Sequence, residues 1–422
     1  MTWAALAGFL RSALAVVAVF VVSIVIHEFG HYWVAKRCGV AVPQFAIGFG
    51  PKLVRWMRRG TEFSIRLFPL GGLVQLAGEI PQDALFRVGE ELAVKLDAAG
   101  RIAALGDPAD LEDARVGVLR GLDLTDRMEM TLDFGQGPEV LRVVPGARLV
   151  TGRRNAIPLV GREEQMLGKP LRQRAAIILA GPVMNFLLAG VLFSALFMHM
   201  GVPVDAPVIG GVVPGSPAQH AGLMAGDRVV AVDGQPVSTW VEFSQAIQRD
   251  DTNPPRPLSL EINRRGQLQT VQVTPMMTPD HVPLVGVNRA LSFNPLRAVG
   301  SGFATVYHGS VNALQLYGQV VSQHRFNDLA GPVGIADAIG QQAQSGFWNV
   351  VAIAGLLSLN LGLFNLLPIP ALDGGRLLFM LVEMVRGRAL DPRKEGLVHF
   401  VGFALLMLFA VIITYRDVTR LF

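Results

Sequence analysis

Four stretches of the chain are apolar over lengths that, as helices, cross about 30 Å of hydrocarbon. They are residues 12–35, 175–200, 347–367 and 397–415. A long polar region, 36–174, separates the first two, and another, 201–346, separates the second from the third. A short loop joins the last two. Residues 298–321 are moderately apolar, but Tyr307, His308, Asn312 and Gln315 interrupt them, so the segment reads as an interfacial or amphipathic helix and not a fifth crossing. The pattern predicts an α-helical polytopic membrane protein with four transmembrane helices.

The polar regions carry their own periodicities. In 80–170, "ELAVKLDAAGRIAAL" and "MEMTLDFGQGPEVLRVV" each read as two short strands around a tight turn, which predicts a small β-rich insert. In 206–291, "VIGGVVPGSPAQHAGLMAGDRVVAVDGQPV" sets a strand before a Pro-Gly turn, then a short helix, then Gly-Asp opening another strand. Through Ser216-Pro217-Ala218, Ala221-Gly222-Leu223 and Gly226-Asp227 this segment resembles a bacterial PDZ domain. "PLVGV" (283–287) is then the candidate edge for an extended peptide ligand by strand addition. The plain alternative is a spacer domain without a ligand.

Composition supports the membrane reading. Of 422 residues 51% are hydrophobic and 17% charged, against about 25% charged in soluble domains. The net charge of +4, without blocks of like charge, excludes a nucleic-acid arm. The single cysteine, Cys38, excludes intramolecular disulfides and a four-cysteine zinc site. The first apolar run is longer than a signal-peptide core and lacks a small-residue cleavage site, so it reads as an uncleaved anchor.

Basic residues set the expected sidedness. Six lie between 36 and 59 with no acidic residue among them; Lys169, Arg172 and Arg174 precede the second span, and Arg386, Arg388, Arg393 and Lys394 lie in the last loop. No Lys or Arg occurs from 175 until Arg228, nor between 327 and 347. The first and last loops are therefore expected in the cytoplasm, 201–346 outside it, and both termini outside. The expected division is 1–36 first span, 37–79 a cytoplasmic membrane-associated region, 80–170 the cytoplasmic insert and 171–201 second span. There follow 202–291 the extracytoplasmic PDZ-like domain, 292–346 extracytoplasmic amphipathic helices, 347–376 third span, 377–396 a cytoplasmic loop and 397–422 fourth span.

"SIVIHEFGHYWVAKRCGV" puts His27, Glu28 and His31 at the inner end of the first span, where polar groups are costly unless compensated. His27 and His31 are i and i+4 on one helical face, about 6 Å apart at their Cβ atoms. That spacing lets both imidazoles meet one Zn²⁺, with the adjacent glutamate as base. A chance HExxH in a cytosolic helix is the bland alternative; depth in the membrane argues against it, because a metal satisfies all three groups at once. A catalytic zinc needs a third protein ligand. "SLNLGLFNLLPIPALDGGRLL" offers Asp373, just after a helix-breaking Pro-x-Pro, with Gly374 and Gly375 leaving room. A turn or helix cap would also suit this aspartate. Four crossings place it on the same membrane side as the histidines.

The paired motifs His27-Glu28-Phe29-Gly30-His31 and Leu372-Asp373-Gly374-Gly375, with a PDZ-like segment between them, resemble the site-2 proteases, in particular the RseP/RasP group of bacterial intramembrane zinc metalloproteases. The resemblance implies zinc on His27, His31 and Asp373, with Glu28 as general base. It extends to Gly181-Pro182-x-x-Asn185 and to Asn360 and Asn365, whose amides would bind an unwinding substrate helix or, alternatively, hold helices together. "FAIGFGPKL", with Gly48 and Gly50, and "EFSIRLFPLGGLVQL", with Gly71 and Gly72, resemble the family's membrane-associated β-loop, which would clamp substrate as an extended strand. Implied partners are the lipid bilayer and single-span membrane proteins already trimmed outside the membrane, such as anti-sigma factors and remnant signal peptides. The implied location is the bacterial cytoplasmic membrane. Two other readings stand beside it: a tethered zinc peptidase acting in the cytosol, and a PDZ scaffold with a structural metal.

Overall fold

The structure is a computed structural model that describes residues 2–79, 82–150, 156–249, 255–279, 282–325, 329–388 and 390–421. Two compact units emerge, one of residues 1–189 with 306–422 and the other of 190–305.

The first unit opens with α1 (Trp3–Arg37), whose N-terminus is capped by the Thr2 hydroxyl accepting from Ala5 N–H. Strands β1 (Gln44–Arg58) and β2 (Thr61–Gln75) follow as a long hairpin. Its pairing is irregular: residues 52–58, 61–66, 44–47 and 72–75 lie side by side in that order, so 72–75 forms an edge. The insert supplies β3 (Glu91–Leu96), β4 (Ile102–Gly106), β5 (Arg115–Asp123), β6 (Glu129–Asp133), β7 (Pro138–Val150) and β8 (Ala156–Pro158). They form one six-stranded sheet ordered β4-β3-β5-β6-β7-β8, with β4 also pairing to β7. Buried residues, among them Ile102, Leu105, Leu119, Met130 and Leu132, form its hydrophobic core.

Helix α2 (Leu171–Met200) continues from this unit into the second. There β9 (Val202–Pro203), β10 (Ile209–Val212), α3 (Pro217–His220), β11 (Arg228–Val232), β12 (Gln235–Pro236) and α4 (Trp240–Gln248) are followed by β13 (Leu258–Arg264) and β14 (Gln267–Val273). Short strands β15 (Met276–Met277), β16 (Pro283–Leu284), β17 (Val287–Arg289) and β18 (Leu291–Ser292) complete it. The main sheet runs β12-β11-β13-β14, and β10 pairs with β17. A capping box between Thr239 and Glu242 starts α4, which buries Phe243 and Ile247 against Leu258, Leu260 and Ile262. Residues 283–288 face α4 across a groove of ≈ 250 Å³.

Helix α5 (Pro295–Ser322) leads back to the first unit, followed by α6 (Pro332–Ser345), α7 (Phe347–Leu366), α8 (Asp373–Arg386) and α9 (Pro392–Leu421). Among the described residues, four helices are long and apolar enough to cross a membrane: Trp3–Arg37, Leu171–Met200, Phe347–Leu366 and Lys394–Arg420. The 298–321 segment is helical, as its sequence predicts, and is not one of them.

Small residues and side-chain oxygens bring these helices together. A Cβ on Gly30 would lie 2.4 Å from the Ala180 carbonyl oxygen, so only glycine lets α1 and α2 approach this closely. Ser358 of α7 donates to the Asn185 carbonyl of α2 at 2.9 Å. Asp417 of α9 caps α6 by accepting from Gly331 and Gly334 N–H at 2.8 and 2.9 Å. Ala35 of α1 packs with Val40, Val42, Ile177, Ile178 and Met380 in one buried apolar cluster.

Candidate metal centre

Helical spacing on α1 stacks His27 and His31 one turn apart, with ring centroids 4.8 Å from each other. Their Nε2 atoms converge to 3.2 Å. The third member arrives from far along the chain. After α7, the connector of residues 367–372 folds back on the start of α8, so tightly that a Cβ on Gly374 would lie 2.2 Å from the Leu367 carbonyl oxygen and one on Gly375 2.4 Å from that of Ile369. The two glycines let Asp373 reach the imidazoles, with Oδ2 at 3.3 Å from His27 Nε2 and 3.4 Å from His31 Nε2. That oxygen is buried and has no hydrogen-bond partner among the described residues.

This donor set fits zinc. Tetrahedral coordination with bonds of about 2.0–2.1 Å has ligand–ligand edges of about 3.3–3.4 Å. The observed triangle measures 3.2, 3.3 and 3.4 Å. Two nitrogens and one carboxylate oxygen form the mixed set that zinc accepts while keeping a position open. His27 and His31 are each 8% exposed, so little water reaches their side of the triangle.

The ring positions are fixed from behind. His31 Nδ1–H donates to the Ile177 carbonyl at 2.8 Å, which leaves its Nε2 lone pair free. His27 Nδ1 lies 3.1 Å from the side-chain amide of Asn185. Gly181 makes room for both rings, since a Cβ there would stand 2.3 Å from His31 Nε2 and 2.8 Å from His27 Cε1.

Glu28 lies beside the triangle and borders a cavity of ≈ 730 Å³ that His27, His31 and Asp373 also line. Gly72, Leu73 and Val74, from the edge of β2, also line it. Glycine is required at 72, where a Cβ would lie 2.6 Å from Glu28 Cγ. Asn365 and Arg376 also line the cavity, Arg376 in an ion pair with Glu79.

The expected substrate-contacting residues separate into groups. Gly72 and Asn365 border the cavity. Gly48, Gly50 and Gly71 have positive φ and close the hairpin on itself against Phe68 and Phe49. Asn185 is fully buried behind His27, where it faces the ring and not the cavity. Asn360 accepts from the Tyr317 hydroxyl at 2.7 Å and donates to the Leu356 carbonyl at 2.9 Å. Contributors without a motif of their own are the Ile177 carbonyl, Glu79, Arg376 and the loop residue Ala371.

Comparison with known proteins identifies the family. The model of peptidase family M50 matches residues 15–409. A zinc metalloprotease RasP of Geobacillus kaustophilus is 38% identical across 98% of this chain and 99% of its own length. The regulator of sigma-W protease RasP of Bacillus subtilis is 33% identical across 98% and 100%. Among solved structures, the PDZ domain of an SdrC-like protein from Listeria monocytogenes resembles 21% of this chain and 90% of its own, at 18% identity and a TM-score of 0.19. The chain belongs to peptidase family M50: it is a site-2 protease, an intramembrane zinc metalloprotease.

Proposed function

We propose that His27 Nε2, His31 Nε2 and Asp373 Oδ2 hold the zinc and that Glu28 is the general base for hydrolysis of a peptide bond within a transmembrane segment. The observation that carries this reading is the ligand triangle with Glu28 beside it, opening on a cavity walled by a strand edge. Bound there, zinc supplies Lewis acidity toward a peptide carbonyl and a water molecule. Glu28 takes a proton from the attacking water as its oxygen bonds to the carbonyl carbon. As the C–N bond breaks, Glu28 returns that proton to the leaving amine. A purely structural metal site would need no carboxylate at this position.

A helical peptide bond is shielded by its own hydrogen bonds, so the substrate must be extended before attack. Residues 72–75 offer a backbone edge for that purpose, paired to 44–47 on one side and bordering the cavity, with the Val74 N–H bonded to the Glu28 carboxylate. Asn365 Nδ2 donates to the Leu361 carbonyl, which leaves its Oδ1 as acceptor for a substrate N–H. The positive-inside bias supports a chamber toward the cytoplasm and residues 201–346 outside. Substrates are single-span proteins trimmed outside the membrane, including membrane-bound anti-sigma factors, in keeping with the sigma-W regulator among the relatives, and remnant signal peptides. The groove between α4 and residues 283–288 suits an extended peptide.

The test is reconstitution in liposomes with a single-span substrate. Cleavage mapped within the span, stopped by a zinc chelator and restored by zinc, supports the reading. Equal turnover of a soluble, casein-like protein would replace it with a tethered cytosolic peptidase.

A further inference from the structure

The connector that delivers Asp373 is held in shape from outside the ligand triangle, by α9. Ala371 stands at φ +80°, a left-handed conformation that a residue with a Cβ adopts only where its surroundings impose it. Its N–H donates to Nδ1 of His399 at 2.8 Å. Three residues on, and on the same helical face, Gly402 seats the preceding proline: a Cβ there would lie 2.5 Å from Pro370 Cβ and 2.8 Å from the Pro370 carbonyl oxygen. The His399 ring also contacts Phe379 of α8, with centroids 5.4 Å apart. An amide N–H can donate only to a ring nitrogen that carries no proton, so this bond places the imidazole proton on Nε2, which lies 3.9 Å from the Glu395 carboxylate. One face of α9 thus grips two consecutive residues of the connector, and the second of them is two positions from Asp373.

We propose that His399 is a positioning residue for the metal centre. By accepting the Ala371 N–H it imposes the left-handed turn that carries Asp373 Oδ2 to the two imidazoles, with Gly402 as the seat for Pro370. The inference rests on the assignment of Asp373 as third zinc ligand. It gives the fourth span a part in metal binding without contributing a ligand.

The experiment measures zinc affinity of the full-length, detergent-purified protein by competition with a chromogenic chelator, with thermal unfolding recorded alongside. His399→Phe keeps an aromatic ring against Phe379 but loses the acceptor, and should bind zinc about tenfold more weakly. His399→Asn places an amide oxygen near the position of Nδ1 and should stay within about twofold of the parent. Adding Ala371→Gly to His399→Phe should recover affinity, because glycine takes positive φ without being held there. A role in helix packing alone makes the opposite demand: Asn, lacking the ring, would be the worse variant and Ala371→Gly would change nothing. Parental affinity in His399→Phe, or equal losses in Phe and Asn, overturns the proposal. If His399→Phe does not fold, His399→Leu against His399→Asn makes the same comparison, and equal affinities again overturn it. Asp373→Ala is the control. If it keeps zinc, the ligand assignment fails and the proposal with it; if it loses zinc while His399→Phe does not, the positioning role alone is overturned.

Discussion

Asn185 stands directly behind His27, its side-chain amide 3.1 Å from the ring Nδ1 and none of its surface exposed. For His27 to offer its Nε2 lone pair, Nδ1 must carry the proton and find an acceptor. A half-turn of the amide presents Oδ1 for that purpose, and Oδ1 is buried without another partner among the described residues. Asn185→Leu is therefore expected to weaken zinc binding about 10–100-fold, whereas Asn185→Asp, an acceptor in either orientation, should retain it. Chelator competition measures both. A Leu variant with parental affinity would show that the amide serves helix packing alone.

Gly181 is the second support for the rings. Because a Cβ there would stand 2.3 Å from His31 Nε2, Gly181→Ala must push an imidazole off the triangle. Such overpacking costs about 1–3 kcal/mol, and zinc affinity should fall by about tenfold or more. Isothermal titration with zinc reads this directly, and unchanged affinity would mean that the helices separate at no cost.

How much of this centre was legible in the sequence depended on whether local spacing or distant packing creates each part. His27 and His31 follow from i,i+4 geometry, and Asp373 from counting crossings, because both depend on short-range pattern and membrane sidedness. The four apolar helices and the paired strands of the insert follow likewise from hydropathy period. The role that the structure points to for Asn185 was hidden. An asparagine in an apolar span looks the same in sequence whether it faces substrate, a helix or a histidine, and only the approach of α2 to α1 at Gly30 decides. Ala371 gave no warning of its left-handed backbone, since that conformation is imposed by α9, far along the chain. The order of strands in the hairpin, which makes 72–75 an edge, depends on how β2 curls back past β1, and no local pattern encodes it.

The two asparagines of α7 should now separate experimentally. Asn360 bonds Tyr317 and its own helix, so Asn360→Leu should lower thermal stability and slow every substrate alike, by no more than about 1–2 kcal/mol. Asn365 borders the cavity. Asn365→Leu should impair intact helical substrates more than matched substrates carrying Gly or Pro near the scissile bond, whose helices open more easily. The ratio of the two cleavage rates is the readout, and a parental ratio in Asn365→Leu would reject a role in unwinding.

The unit of residues 190–305 contains a buried ion pair between Asp227 and Arg264. Burial alone would raise the Asp227 carboxyl, but two bonds from Arg264, each at 2.7 Å, and one from Met224 N–H outweigh it and hold the group below its ordinary range. A carboxylate lowered on folding contributes stability that is full above its unfolded value of about 3.9 and is lost as pH falls through the folded value. Arg264→Leu strands Asp227, which is 1% exposed, and should cost the unit about 3 kcal/mol at neutral pH. The loss should shrink toward pH 3, where protonation relieves the stranded charge. Hydrogen exchange of β11 and β13 amides across pH checks both signs, and a pH-independent loss would mean that packing dominates.

The central claim is that Glu28 moves protons while His27, His31 and Asp373 hold the metal. Parallel measurement of zinc content and turnover in Glu28→Gln and Asp373→Ala, against one single-span substrate, tests it most directly. Glu28→Gln should keep parental zinc and lose turnover by at least about 10²-fold, while Asp373→Ala should lose zinc and turnover together. Zinc loss in Glu28→Gln equal to that in Asp373→Ala, or normal cleavage by Glu28→Gln with zinc bound, would contradict the account.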